Sequence, residues 1–129
     1  MATKKTVLIV DDDDLVLESI DLLLSAVDDF QTIRARGAVG AISHMNHARH
    51  IDVIVADVIL AGDLSGIDVC RKVMEKCPGV AMMVITADTE VHRSDISSRG
   101  VLLRKPFGAM QLVAAISDAL TRVSASPVE

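Results

Sequence analysis

Five short apolar runs, each only a few residues long, alternate along the chain with segments of helical spacing. Val, Ile and Leu dominate these runs, as they do in strands that are buried on both faces of a parallel sheet. The runs are Thr6–Val10, Phe30–Ala35, Ile51–Ala56, Val80–Ile85 and Val101–Leu103. Because parallel strands need long crossover connections, the alternation predicts a (βα)₅ chain folded as a doubly wound α/β sandwich.

Between the runs, apolar residues recur three or four positions apart, which places them on one face of a helix. These faces consist of Val16, Ile20, Leu23 and Val27; Ala38, Ala41, Ile42 and Met45; Val69 and Val73; and Leu112, Ile116 and Leu120. The last helix is predicted to open just after Pro106. The segment Asp88–Arg99 is polar, with only Val91 and Ile96 to bury, and predicts a short, loosely held helix.

Length and composition narrow the class of protein. The 129 residues fit one domain, with an expected core over about residues 5–121 and frayed ends at 1–4 and 123–129. A formal net charge of −5 argues against non-specific binding to DNA or to an anionic membrane. The longest apolar stretch, Val80–Ile85, is too short to cross a bilayer, and the first residues lack the apolar region of a signal peptide. We therefore expect a cytoplasmic protein that binds neither nucleic acid nor membrane.

Polar side chains stand at the carboxyl ends of several predicted strands. Asp11–Asp14 follow the first strand, Asp57 follows the third, Thr86 the fourth and Lys105 the fifth. In a doubly wound sheet these ends share one edge, and ligands bind there. The sequence thus brings carboxylates, a hydroxyl and an ammonium group to one site.

The aspartates fall into two groups. Asp13 and Asp14 begin a helix, where carboxylates cap free N–H groups and favour the helix dipole, so we assign them a structural role. Asp57 instead interrupts an apolar run, and a buried carboxylate needs a partner. Crowded carboxylates repel one another, and a hard cation such as Mg²⁺ relieves the repulsion. An ionised aspartate beside Mg²⁺ can attack a phosphoryl group, whose oxygens Lys105 and Thr86 are placed to bind.

Four motifs follow the predicted strand ends in order along the chain. They are Val7–Asp13; Asp57–Leu60 with Gly62 and Ser65–Gly66; Ile85–Ala87; and Arg104–Phe107. In this order they resemble the motifs of bacterial response-regulator receiver domains of two-component signalling, and the resemblance covers about residues 5–121. It implies a flavodoxin-like sandwich with a five-stranded parallel sheet in the order 2-1-3-4-5, formed by a single receiver domain over 1–129.

The resemblance also implies the chemistry of the site. Asp57 would accept a phosphoryl group from a histidine kinase or a histidine phosphotransfer protein. Asp12 would be the main carboxylate ligand of Mg²⁺, with Asp11 beside it acting through water. Asp57 itself and the backbone carbonyl of Ile59 would be the remaining protein ligands of the metal.

The response to phosphorylation is likewise implied by the resemblance. Thr86 and Ala87 would bind the phosphoryl group, with the Thr86 hydroxyl moving toward it, and Lys105 would pair with it. The Lys105–Pro106 peptide bond would be cis. A changed surface over the region 87–104 and the last helix would then face a partner protein, with the chain a monomer or weak dimer. The chain would be no enzyme beyond its own phosphorylation and dephosphorylation.

The chain departs from the family pattern at several positions. The loop from Asp57 to Gly66 is longer than the commonest spacing, and Ala61 stands where proline is usual. The segment that leads to Lys105 is shorter than usual, in keeping with the thin predicted helix before it. Leu102 occupies the position where many members carry Tyr or Phe, so the familiar aromatic switch is not expected here.

A second class of function matches part of the same pattern. Mg²⁺-dependent phosphatases of the haloacid dehalogenase type place an Asp-x-Asp-x-Thr/Val motif after a first parallel strand. Asp11 and Asp13 fit that motif, but Leu15 breaks its last position, and the chain has little room for a substrate-selecting cap. Within the receiver interpretation three roles stay open: a messenger, a shuttle in a phosphorelay, or a phosphate sink.

Two further sets of side chains carry simpler interpretations. His44, His47 and His50 fall three apart on the predicted second helix. Their spread over one broad face indicates a solvated surface rather than a zinc site. Cys70 and Cys77, on the predicted third helix, are interpreted as reduced packing thiols.

Overall fold

The computed structural model describes residues 4–47, 50–60, 64–96 and 99–125. Its strands are all parallel and form one sheet in the order β2-β1-β3-β4-β5, which confirms the predicted sandwich and strand order. They are β1 (Lys5–Val10), β2 (Phe30–Ala35), β3 (Val53–Asp57), β4 (Ala81–Thr86) and β5 (Val101–Arg104). Strand ends differ from the predicted ones by one or two positions; β3, for example, begins at Val53 rather than Ile51.

The α-helices in the described part of the chain cover the two faces of this sheet. They are α1 (Asp14–Ser25), α2 (Ala38–Asn46), α3 (Gly66–Lys76) and α4 (Ala109–Ala125). Since α1 ends at Ser25, Val27 lies outside its apolar face. α4 continues to Ala125, and the expected fraying at residues 1–4 and 123–129 stays a prediction. Residues 1–3 and 126–129 lie outside the described residues.

The connection between β4 and β5, residues 87–100, is called the fourth crossover below. Its described part contains a single 3₁₀ turn over Arg93–Asp95 instead of the short helix predicted over Asp88–Arg99. Polar bonds replace helical packing there: the Arg93 guanidinium donates to the carbonyl oxygen of Gly100, and Arg99 Nη2 donates to that of Pro78 at 2.8 Å. Ser97 and Ser98 lie outside the described residues.

Two apolar cores lie on opposite faces of the sheet. α1 and α4 pack over one face, against strand residues such as Ile9 and Met83. α2 and α3 pack over the other, against Leu8 and Ile54. Because successive strand residues point to opposite faces, burial of both faces explains the continuous apolar runs of β1, β3 and β4. The edge strands β2 and β5 are only partly buried, so the prediction that they are buried on both faces is wrong. The covered sheet gives a rigid frame for its carboxyl edge.

The first helix begins at the aspartates that were assigned a structural role. Asp13 is the N-cap of α1, and its Oδ1 accepts a hydrogen bond from the N–H of Leu15 at 2.9 Å. Asp14 lies in the first turn and pairs with Arg36. The predicted capping role is thereby confirmed for Asp13, since it satisfies a free N–H at the helix start.

The three histidines do not share one helix, because α2 ends at Asn46. His44 lies in the last turn of α2, His47 is its C-cap, and His50 lies beyond it. His50 Nε2 bonds instead to Asp52 Oδ1 at 2.8 Å. Within the described ranges, no group of three potential ligand side chains is gathered that could hold a metal ion.

The two cysteines occupy different environments near α3. Cys70 is buried in the helix, and burial raises the pKa of its thiol to about 12. Cys77 was predicted to lie on the helix as well, but it is the half-buried C-cap that follows the last helical residue. A buried neutral thiol is a poor nucleophile, which supports a packing role for Cys70.

Candidate functional site

Asp57 is the last residue of β3, a central strand, and is only 8% exposed. The apolar residues before it place it at the carboxyl edge of the sheet between β1 and β4. Its Oδ1 accepts a hydrogen bond from the N–H of Ile59 at 2.9 Å, and its Oδ2 accepts one from Lys105 Nζ at 2.6 Å. The buried carboxylate thus has a charged partner, as burial of a charge requires.

Asp11 follows β1 on the same edge and is 1% exposed. Its Oδ1 accepts a hydrogen bond from the N–H of Asp13 at 2.9 Å, whereas its Oδ2 is buried without a hydrogen-bond partner among the described residues. Burial raises the pKa of Asp11 to about 7; the neighbouring Asp57 carboxylate adds to the rise, and the Asp13 N–H opposes it. A site that holds this carboxylate unpaired favours a bound proton or a bound cation.

The donor set fits Mg²⁺. This cation takes one or two carboxylates and keeps several waters, so the site needs no preformed cage of protein ligands. Asp11 offers the free oxygen Oδ2. Asp12 stands beside it with an exposed side chain, and Ile59 follows Asp57 in the β3–α3 loop. Asp11, Asp12, Asp57 and the Ile59 carbonyl stay the groups predicted to hold the cation, with water supplying the ligands that these side chains do not.

Thr86 ends β4 and is 1% exposed. Its Oγ1 accepts a hydrogen bond from the N–H of Asp88 at 2.9 Å. Ala87 follows as an exposed residue in the connecting loop. The structure thus brings a buried hydroxyl to the predicted edge, bonded to the fourth crossover.

Lys105 directly follows β5 and reaches back across the edge of the sheet. Its backbone N–H donates to the carbonyl oxygen of Thr86 at 2.9 Å, and the Lys105–Pro106 peptide bond is cis. The Lys105 ammonium forms an ion pair with the Asp57 carboxylate. The Lys105 side chain is 28% exposed. Asp57, Thr86 and Lys105 thus lie at the same edge of the sheet, where the sequence predicted an aspartate, a hydroxyl and an ammonium group.

Gly66 begins α3 against the backbone of Asp57. Its N–H donates to the carbonyl oxygen of Val58 at 2.9 Å. A Cβ at this position would lie 1.9 Å from the carbonyl oxygen of Asp57. Gly66 belongs to the predicted loop motif, but its close approach to Asp57 was not predicted, because the sequence does not distinguish it from Gly62 of the same loop. Ala61 and Gly62, of the same loop, lie outside the described residues.

Leu102 is half-buried on β5 and packs against the core under α2 and α3. It pairs in register with Val84 of β4. The position thus carries an aliphatic side chain that already belongs to the core, where the family resemblance would place an aromatic ring.

The fold and site define a doubly wound α/β domain with an aspartate–lysine centre at the carboxyl edge of its sheet. A family model for the response regulator receiver domain matches residues 7–117. The chain belongs to the response-regulator receiver domain family. This membership does not favour the phosphatase alternative.

Two sequence relatives share the domain. The chain is 33% identical over 118 residues to a protein of Thermotoga maritima named "Cyclic di-GMP phosphodiesterase", covering 89% of this chain and 31% of that protein. It is 29% identical over 127 residues to the "Probable transcriptional regulatory protein TcrX" of Mycobacterium tuberculosis, covering 96% of this chain and 53% of the relative. The chain thus spans between about a third and a half of the relatives' lengths.

The solved structures support the fold. A crystal structure of a response regulator receiver protein from Sinorhizobium medicae superposes with a TM-score of 0.81 at 24% identity, covering 95% of this chain and 96% of that one. At this identity the likeness concerns the fold alone. In the described part of the chain, no helix has the length and apolarity needed to span a membrane.

Proposed function

We propose that this chain is a phosphoacceptor receiver of a two-component or phosphorelay system, with Asp57 as the acceptor and Mg²⁺ as the cofactor. The environment of the Asp57 carboxylate carries the proposal. It is nearly buried, paired with Lys105 Nζ at 2.6 Å, and set beside a second carboxylate, that of Asp11, whose Oδ2 has no hydrogen-bond partner in the described part of the chain. Structural ion pairs do not need a second, unpaired buried acid next to them.

The transfer step follows from the groups at this edge. A histidine kinase or histidine phosphotransfer protein presents a phosphohistidine; its N–P bond breaks as an O–P bond forms to a carboxylate oxygen of Asp57, and the imidazole leaves. Lys105 then exchanges its bond to the carboxylate for one to a phosphoryl oxygen, and the Thr86 hydroxyl and the Ala87 N–H supply further donors. A bound Mg²⁺ supplies the positive charge that lets anionic groups meet there.

The signal is proposed to leave through the region 87–104 and α4. This surface meets the partner protein, and the chain acts as a cytoplasmic monomer or weak dimer. Its role is signalling rather than turnover of an external substrate, apart from its own phosphorylation and dephosphorylation. Whether it serves as messenger, shuttle or phosphate sink depends on that partner.

Incubation with acetyl phosphate and Mg²⁺ tests the proposal. The intact mass is expected to rise by one phosphoryl group, and chelation of Mg²⁺ should prevent the rise, because uncompensated carboxylates repel the anionic donor. Absence of labelling under saturating donor and metal would refute the proposal. Steady turnover of a simple phosphate ester would instead point to a phosphatase.

Substitutions at Asp12 and Lys105 should separate metal binding from the response. Asp12→Ala removes a proposed carboxylate ligand, so the Mg²⁺ dissociation constant should rise about tenfold or more, and phosphorylation should slow. Lys105→Ala removes an ammonium that cannot ligate a cation, so Mg²⁺ affinity should be retained while the response to phosphorylation is blunted. Calorimetry or NMR shifts give the affinities, because the chain has no Trp. Equal losses in both variants would contradict the division of roles.

Phosphorylation should change the fourth crossover. Few apolar side chains hold residues 87–100, so the free energy of local opening is low there. When Thr86 turns toward the phosphoryl group, it must release the N–H of Asp88, and the crossover should shift while Leu102 stays in the core. Hydrogen exchange with and without beryllofluoride, which mimics the phosphoryl group, should show the change in residues 87–100.

The Thr86→Ala variant is the control for that experiment. It lacks the hydroxyl but keeps Asp57, so phosphorylation should persist while the exchange difference in residues 87–100 disappears. Protection that changes only elsewhere in the wild type would show that the crossover is not the responding element.

A further inference from the structure

The first turn of the fourth crossover is held from two directions. The N–H of Asp88 donates to Thr86 Oγ1 at 2.9 Å. The carbonyl oxygen of Asp88 accepts a hydrogen bond from Arg104 Nη1 at 2.9 Å, and Arg104 Nη2 donates to the carbonyl oxygen of Val91. The N–H of Val91 closes the turn on the Asp88 carbonyl oxygen at 3.3 Å. Thr86 and Arg104 thus bind opposite sides of the same residue.

The sheet places these two side chains next to each other. Thr86 and Arg104 are register partners on β4 and β5. Arg104 shares a face of β5 with Leu102, since strand side chains alternate, and Leu102 packs toward the core under α2 and α3. Arg104 is also the residue before Lys105, whose ammonium binds Asp57. Arg104 therefore adjoins Lys105 of the proposed acceptor site along the chain and contacts the fourth crossover through its side chain.

We propose that Arg104 is a positioning residue that fastens the 88–91 turn in the unphosphorylated arrangement, a role that rests on the proposed phosphorylation of Asp57. The two guanidinium bonds exist together with the bond from Asp88 to the Thr86 hydroxyl. When the Thr86 hydroxyl moves toward Asp57, the hydrogen bond from the Asp88 N–H to that hydroxyl is lost. The hydrogen bond from Arg104 to the Asp88 carbonyl oxygen remains. Because the Arg104 bonds stabilise the unphosphorylated arrangement of the 88–91 turn, they oppose the change of arrangement that a phosphoryl group on Asp57 favours.

The chemistry of arginine suits this role. Its planar guanidinium presents several N–H donors in a fixed fork, so one side chain can bind two carbonyl oxygens, whereas lysine offers a compact ammonium on a flexible stem. Arg104→Lys therefore keeps the positive charge of the side chain and removes the two-point hold. Arg71→Lys is the matched control, because Arg71 is an exposed arginine of α3 whose guanidinium bonds to Asp68.

Hydrogen exchange and beryllofluoride binding test the inference on the full chain. Arg104→Lys should speed exchange of the amides of residues 88–92 about fivefold or more in the unliganded protein, while strand amides such as that of Val55 stay protected. It should also tighten beryllofluoride binding in the presence of Mg²⁺ about threefold or more, because the opposing bonds are gone. Arg71→Lys should change neither quantity. If Arg104→Lys does not fold, Arg104→Gln also removes the two-point hold, and its exchange in residues 88–92 is compared with that of Arg71→Gln, which loses the same charge from an exposed site.

The outcomes separate this inference from the proposed function. Unchanged exchange and unchanged affinity in Arg104→Lys would overturn the role of Arg104. Weaker binding of beryllofluoride would also overturn it, since Arg104 would then stabilise the phosphorylated arrangement. If the wild type takes up neither acetyl phosphate nor beryllofluoride, the proposed function fails, whereas exchange in the unliganded variant still reports on the hold itself.

Discussion

Asp57→Asn should take up no phosphoryl group from acetyl phosphate. The amide has nearly the shape of the carboxylate and can still accept the Ile59 N–H, which reaches Oδ1 at 2.9 Å. It carries no negative charge, however, and is therefore too weak a nucleophile to attack phosphorus. In that orientation its N–H₂ takes the place of the oxygen that Lys105 Nζ binds at 2.6 Å, so the ammonium loses its acceptor. Intact-mass analysis after incubation with Mg²⁺ measures the loss.

The matched control for this substitution is Asp14→Asn. Asp14 belongs to the same acidic run but lies in the first turn of α1 and pairs with Arg36. The Asp14→Asn variant should therefore be phosphorylated on Asp57 at close to the wild-type rate. Labelling that persists undiminished in Asp57→Asn would assign the acceptor to another residue, which peptide mapping would then locate.

Gly66→Ala should strongly destabilise the fold. The added Cβ would lie 1.9 Å from the carbonyl oxygen and 2.6 Å from the carbonyl carbon of Asp57. Both are backbone atoms of a buried central strand, so relief requires that the start of α3 or the end of β3 move. Such overpacking costs about 3 kcal/mol or more, which corresponds to a fall in Tm of about 10 °C for a domain of this size. Thermal unfolding followed by circular dichroism gives the value.

Gly79→Ala is the control, since a Cβ there would meet nothing within 4 Å. Its Tm should stay close to that of the wild type. The folded fraction of Gly66→Ala should also be phosphorylated more slowly, because the clash displaces Asp57 itself. A Gly66→Ala protein as stable as Gly79→Ala would show that the β3–α3 junction adjusts freely.

The sequence allowed the sheet and the positions of its edge groups to be predicted. Central strands that are buried on both faces produce continuous apolar runs in the sequence. The number of strands and their parallel arrangement could therefore be predicted from these runs and the helical segments between them. Once the strands are parallel, Asp11, Asp57 and Lys105 must come to one edge, whatever the loops between them do. This requirement is a property of topology, and it survives errors of one or two residues in the strand ends.

The contacts that depend on irregular backbone could not be predicted. The fourth crossover was expected to form a short helix, yet its described part is held by Arg93 and Arg104 through bonds to carbonyl oxygens. Such bonds have no sequence period, because any residue supplies the acceptor. The approach of Gly66 to Asp57 is equally invisible without the path of the loop between them. Likewise, the unpaired Oδ2 of Asp11 is a consequence of burial that composition does not reveal.

The bonds that attach the fourth crossover to the rest of the domain determine which of its residues can be substituted without releasing the loop. The arginine contacts end on the main-chain oxygens of Asp88, Val91, Gly100 and Pro78. Every amino acid carries such an oxygen, so replacing side chains of the segment other than Arg93 and Arg99 leaves both the donors and the acceptors of these bonds in place. Substitutions at these other positions can therefore change the outward surface of the crossover, which we propose meets the partner, while the loop stays attached to the sheet. If the proposed function holds, the side chains that recognise the partner are therefore different from the groups that attach the loop.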